Sequence, residues 1–146
     1  MDINILNEAG ENIFEMAMAF KTKFFNPHLL SKSCEVPPSQ ITVLFFLKGH
    51  GENTMSTLAH HLHISRPNLT PLIDKLLEDG YVDRNANSKD RRILLISLSE
   101  KGWKFMDEIN KMVIENFKER IKSLNDEEIF VLNESAKHFL EVMKKI

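Results

Sequence analysis

Residues 54–102 read TMSTLAHHLHISRPNLTPLIDKLLEDGYVDRNANSKDRRILLISLSEKG. Thr54 is a good N-cap for a helix over 55–62, with Met55, Leu58, Ala59 and Leu62 facing inward. His63-Ile64 forms a turn, and Ser65 caps a second helix over about 66–79. Leu69, Leu72, Ile73, Leu76 and Leu77 make its core face; Arg66, Asn68, Thr70 and Lys75 lie on the other. Gly80 ends it, and Pro71 near its second turn predicts a bend or a later start. Tyr81–Arg84 and Arg92–Leu98 read as antiparallel strands, with Leu94, Ile96 and Leu98 on one face of the latter. The turn formers of 85–91 join them. A helix pair followed by a ribbon with a cationic tip fits duplex DNA: the second helix enters the major groove and the tip reaches the minor groove.

Working outward, residues 3–31 predict a first helix, because Leu6, Ala9, Ile13, Ala17, Phe20 and Phe24 follow three- and four-residue steps. Phe14, Met16, Met18 and Phe25 widen its apolar face enough to suggest more than one partner, one of them a second subunit. Pro27 ends or bends it. Pro38 suits the first turn of a helix over 38–48 that is apolar almost all round, closed by Gly49 and Gly51. Ser99 caps a long helix to about 123, with Trp103, Met106, Ile109, Val113, Phe117 and Ile121 on its stripe and Trp103 as a packing residue. Asn125 with Glu128 predicts a capping box at the start of a last helix.

The chain has 146 residues, 42% hydrophobic and 27% charged, which allows one domain with a core that needs neither disulfide nor metal. A lone cysteine makes no internal disulfide, and no long apolar run or leader pattern is seen, so a reducing, cytoplasmic setting off the membrane is expected. The net charge of −2 does not advertise a nucleic-acid binder. Its distribution is more informative, because Lys89, Arg91 and Arg92 fall within four residues. No nucleophile–base pair, paired carboxylate set or glycine-rich phosphate loop is present, so catalysis has no residue-level support.

Several motifs together resemble the MarR family of winged helix-turn-helix transcription regulators. They are Val36-Pro37-Pro38-Ser39-Gln40, Leu58-Ala59 through Ile64-Ser65, and Leu76, Gly80, Tyr81, Val82 and Arg84. Most specific is Asp90-Arg91-Arg92 followed by Leu98-Ser99-Glu100-Lys101-Gly102. The resemblance implies a mainly α fold with a small β-hairpin wing. The winged helix DNA-binding part would span 36–98, with helical dimerisation arms at 1–35 and 99–146. It further implies a homodimer bound to a pseudo-palindromic operator in double-stranded DNA. Many members respond to small phenolic or lipophilic effectors, metals or oxidants.

The expected DNA contacts are Ser65, Arg66, Asn68, Thr70 and Lys75 on the second helix of the pair, and Lys89, Asp90, Arg91 and Arg92 on the wing. Arginine to guanine and asparagine to adenine are the natural base pairings, and backbone N–H groups at a helix start favour phosphate. Arg92 is the main minor-groove candidate, since its guanidinium is always charged and carries five donors. In the family an Asp two residues earlier steadies this arginine, and Asp90 stands in that place. Arg91 and Lys89 are expected on phosphates. The competing reading of the tip is a solvated charged hairpin, and for Ser65 it is simple capping.

His60, His61 and His63 point about 100° apart or more along a helix and do not converge on an ion. His28, Cys34 and Glu35 are close in sequence, but the long helix after the wing has no His to complete a zinc site, so no metal and no cofactor is expected. The run 68–72 (NLTPL) resembles the organic-hydroperoxide-sensing branch, but that branch keeps its cysteine in the first helix, where this chain has none. The favoured reading is a dimeric sequence-specific DNA-binding regulator, a repressor relieved by an effector. The Phe and Met residues of the first, second and fifth helices either form core or line the effector's pocket. The alternatives are a winged-helix protein–protein adaptor, which would not be retained on DNA at low salt, and a redox sensor acting through Cys34.

Overall fold

A computed structural model describes residues 2–23 and 36–145. The described elements are α1 (Ile3–Lys23), α2 (Pro38–His50), β1 (Asn53–Thr54), α3 (Met55–His61), α4 (Arg66–Glu78), β2 (Val82–Ala86), β3 (Leu94–Leu98), α5 (Glu100–Ile121) and α6 (Asp126–Met143). The mainly helical class with a small wing is borne out. The sheet has a third strand that the sequence did not announce. β1 pairs antiparallel with β3 on the side away from β2, in the order β1-β3-β2, through Asn53↔Ile96 and Thr54↔Leu95. Two residues are too few to show an alternating pattern. The far end of the expected first helix, with Phe24, Phe25 and Pro27, lies outside the described residues.

The chain forms two compact units, residues 1–111 and 112–146. In the first, Val43, Leu44 and Leu47 of α2 meet Leu58 of α3, Leu69, Ile73 and Leu76 of α4, Ile96 and Leu98 of β3, and Met106 of α5. Each such side chain contributes about 1.5–3 kcal/mol on leaving water, which is why the short α3, with Leu58 fully buried, holds its place. Two expected packing positions are corrected: Phe45 and Trp103 are 40% and 44% exposed. Gln40, the last residue of the Val36–Gln40 motif, is buried, and its Oε1 has no hydrogen-bond partner among the described residues.

Helix ends account for the other corrections. Gly51, at φ 73, closes α2 by donating its N–H to Leu47 O at 2.9 Å, whereas Gly49 lies within the helix. α4 keeps Pro71 inside it, so neither later start nor break is required. α3 and α4 end in the same double-bonded motif. Ile64 N–H reaches Ala59 O and His63 N–H reaches His60 O at α3; Tyr81 N–H reaches Leu76 O and Gly80 N–H reaches Leu77 O at α4. Tyr81 is therefore engaged in closing the helix, and the strand starts at Val82 rather than Tyr81.

The second unit contains the end of α5 and the whole of α6. Its start carries the expected capping box: Glu128 N–H donates to Asn125 Oδ1 and Asn125 N–H to Glu128 Oε2, both at 2.9 Å. α6 has no buried residue, nor has α1.

Candidate nucleic-acid interface

α4 buries Leu69, Ile73 and Leu76, so the steps of about 100° per residue carry Pro67, Pro71, Asp74 and Glu78 to the opposite face. Asn68 and Lys75 flank that face on one side and Thr70 on the other. All these positions are exposed. Ser65 holds the N-cap position, but its side chain makes no capping bond. The cause is Pro67. It has no N–H to offer, and the next N–H, that of Asn68, goes to the Ser65 carbonyl at 3.0 Å. The expected capping role is thereby corrected, and the Ser65 hydroxyl has no partner among the described residues.

The other helix candidates differ sharply in how free they are. Arg66 Nη2 donates to Ser56 Oγ on α3. Thr70 donates its hydroxyl back to Arg66 O at 2.9 Å, which leaves it as an acceptor only. The Asn68 side-chain amide makes no hydrogen bond among the described residues. Lys75 is held by Glu78 and Asp79, each at 3.0 Å, and these bonds, Asp79 first, raise its pKa above the ordinary lysine value. Asp74 is met by Arg84 of β2 at 3.4 Å, so the wing strand neutralises an acid on the exposed helix face.

The wing tip is built by side chains folding back on the backbone. Asn87 Oδ1 accepts from Lys89 N–H at 2.8 Å and Asp90 N–H at 3.3 Å, and Asn87 N–H closes the loop onto Ile93 O at 2.8 Å. Asp90 Oδ1 accepts from the backbone N–H of Arg92 at 3.0 Å. Asp90 thus shapes the turn instead of pairing with the Arg92 guanidinium. Because the loop runs to Ile93, Arg92 sits in it and β3 starts only at Leu94, two residues later than expected. The side chains of Lys89, Arg91 and Arg92 make no hydrogen bond or ion pair among the described residues. Three exposed cations outside any ion pair among the described residues, with Asp90 the one acid between them, make the tip locally cationic despite the net charge of −2.

The sequence reasoning missed Ser56, Pro67 and Asn87, whose roles depend on partners that no spacing rule indicates. His28, Cys34 and Glu35 lie outside the described residues. His50 stacks on Phe46 with ring centroids 4.3 Å apart, and His60 meets His61 edge-on at 5.5 Å. No helix among the described residues is long and apolar enough to cross a membrane.

Comparison with known proteins agrees with this geometry. The MarR family model matches residues 36–94. An uncharacterized HTH-type transcriptional regulator of Mycobacterium bovis is 31% identical over 121 residues, covering 83% of this chain and 81% of its own. The HTH-type transcriptional repressor MdtR of Bacillus subtilis is 34% identical over 67 residues, 46% of this chain and 43% of its own. Among solved structures, a MarR family protein of Bacillus stearothermophilus superposes with a TM-score of 0.70 at 22% identity, covering 99% of each chain.

Proposed function

The chain belongs to the MarR family, a family of non-enzymatic DNA-binding transcriptional regulators, and on that premise we propose that it works as a homodimeric repressor released by a small effector. The observation that carries the dimer is the bareness of α1 and α6. Both are rich in apolar side chains, yet neither buries one: Phe14 is 67%, Ile3 63%, Phe130 65% and Leu140 59% exposed. Helices of this kind draw their stability from packing, and a second copy supplies the missing surface. In this reading residues 36–98 contact DNA and residues 1–35 and 99–146 dimerise.

Ser65, Arg66, Asn68 and Thr70 bind at the start of α4, with Lys75 a weaker contributor because of its two carboxylates. Arg92 enters the minor groove, Lys89 and Arg91 hold phosphates, and Asp90 fixes the turn that presents them. Two-fold symmetry sets two α4 helices about 34 Å apart, matching a pseudo-palindromic operator. Repression follows the name of MdtR, and the effector is a small lipophilic or phenolic molecule acting in the cytoplasm. Sedimentation and titration of a labelled duplex from upstream of its own gene test the reading together. A dimer whose affinity falls steeply with salt is expected. A stable monomer, or no DNA binding at low salt, would falsify it.

A further inference from the structure

We propose that Ser56 is a positioning residue for DNA binding, and that the Ser56–Arg66 pair is a clamp for one backbone phosphate rather than a reader of a base. The inference rests on the DNA-binding reading above. It starts from the placement of Arg66. Counting about 100° per residue from the buried Leu69, position 66 falls near the flank of α4 occupied by Ile73 and Leu77, not on the outward line of Pro67, Pro71 and Asp74. The side chain therefore runs along the junction with α3, where Ser56 Oγ accepts an Nη2–H. Both residues are exposed.

Ser56 is suited to this. Thr54 and Thr57, its neighbours at the start of α3, bond each other at 3.0 Å, and Thr54 also caps Thr57 N–H at 3.2 Å. The Ser56 side chain makes no bond within its own helix, and its one partner among the described residues is Arg66. Having accepted from the guanidinium, its hydroxyl still has a proton to donate. Arg66 retains four of its five N–H donors. Donors from the two residues thus converge on one outside acceptor, and an anionic oxygen with several lone pairs fits such a convergence best. A bidentate guanine contact would instead want the arginine unattached and projecting into the groove. Phosphate contacts of this type fix register and carry no sequence information.

The test uses the full-length protein. A duplex library with a randomised core is selected on wild type, Arg66→Ala, Ser56→Ala and Ser56→Thr, and affinities for the enriched duplex are measured across salt. Arg66→Ala is expected to leave the selected sequence unchanged, weaken binding about ten-fold and lower the salt slope by about 0.9, the value for one phosphate. Ser56→Ala should weaken binding a few-fold in the wild type and clearly less in Arg66→Ala, where only its own hydroxyl donor is lost, while Ser56→Thr, which keeps the hydroxyl, should restore it. Loss of preference at one base position in Arg66→Ala overturns the phosphate assignment. Equal effects of Ser56→Ala with and without Arg66 overturn the positioning role. If wild type enriches no duplex, the DNA-binding reading itself fails, and this proposal with it.

Discussion

Gly102 lies so close to Tyr81 that a Cβ on it would stand 2.0 Å from the Tyr81 carbonyl oxygen and 3.1 Å from its carbonyl carbon. The contact belongs to a tight joint. Ser99 Oγ accepts from Gly102 N–H at 3.0 Å and donates to Gly80 O at 2.6 Å, and Ser99 N–H reaches Tyr81 O at 3.1 Å. Backbone on both sides cannot swing aside as a side chain end would. Gly102→Ala should therefore cost about 3 kcal/mol, the upper end for overpacking, read as a lowered urea midpoint. A midpoint equal to wild type would mean that the joint yields.

Gly80 and His63 occupy the same place in the same helix-ending motif, at φ 76 and φ 52. Only glycine adopts this left-handed conformation freely. A Cβ at Gly80 meets nothing closer than Lys101 Cδ at 3.9 Å, so Gly80→Ala isolates the backbone penalty, about 1 kcal/mol. His63→Gly should do the reverse and raise stability by about 0.5–1 kcal/mol, the larger freedom of the unfolded chain offsetting part of the gain. Thermal melts should move by about 2–4 °C per kcal/mol for a chain of this size. A destabilised His63→Gly would show that the imidazole contributes contacts worth more than the backbone relief.

Much of this joint and its surroundings was legible in the sequence, but unevenly. The stripe of α4, that of α5 from Met106 onward, the capping box at Asn125 and the glycine after α4 follow from local chemistry, and each appears where the spacing predicts, whereas Trp103 at the head of the α5 stripe is exposed. The motif from Leu98 to Gly102 was recognisable as a pattern, and Ser99 as a cap. That Gly102 must be glycine was not, because the carbonyl it faces comes from twenty-one residues earlier in the chain. The site divides in the same way. Charge and exposure at Lys89, Arg91 and Arg92 are properties of the residues themselves. The pairing of Lys75 with acids, the engagement of Asp90 by backbone and the Ser56–Arg66 bond depend on which side chains meet after folding. The periodicity of α1 and α6 reports an apolar stripe without saying which molecule covers it, so the sequence leaves a second subunit among the possible partners of α1.

Arg92 and Lys75 should separate cleanly in DNA binding. Arg92 has no ion pair among the described residues and sits on a turn fixed by Asn87 and Asp90, so it loses little on meeting a duplex. Lys75 must leave two carboxylates first. Arg92→Ala is expected to weaken binding by about 1–3 kcal/mol, whereas Lys75→Ala should stay within about 0.5 kcal/mol of wild type. Titrations at one fixed salt concentration decide it. Equal losses from both would mean that the ion pairs of Lys75 do not restrain it in solution.

Lys48 and Asp107 join the end of α2 to α5 at 2.6 Å, with Lys48 the less exposed partner. The hydrogen bond from Lys48, and after it the ammonium charge, hold the Asp107 carboxyl below the ordinary aspartate value. A carboxyl whose pKa is lower in the folded chain than in the unfolded one stabilises wherever it is ionised in both states. That contribution is present above the ordinary value of about 3.9 and is lost as pH falls through the folded value. Both partners have access to solvent, so the effect is small and screened by salt. The difference in urea midpoint between wild type and Asp107→Asn should be constant from about pH 5 to 8. It should then shrink on acidification below about pH 4, and shrink at every pH when salt is added. A difference that ignores both pH and salt would assign the joint to packing by the Lys48 stem instead of to charge.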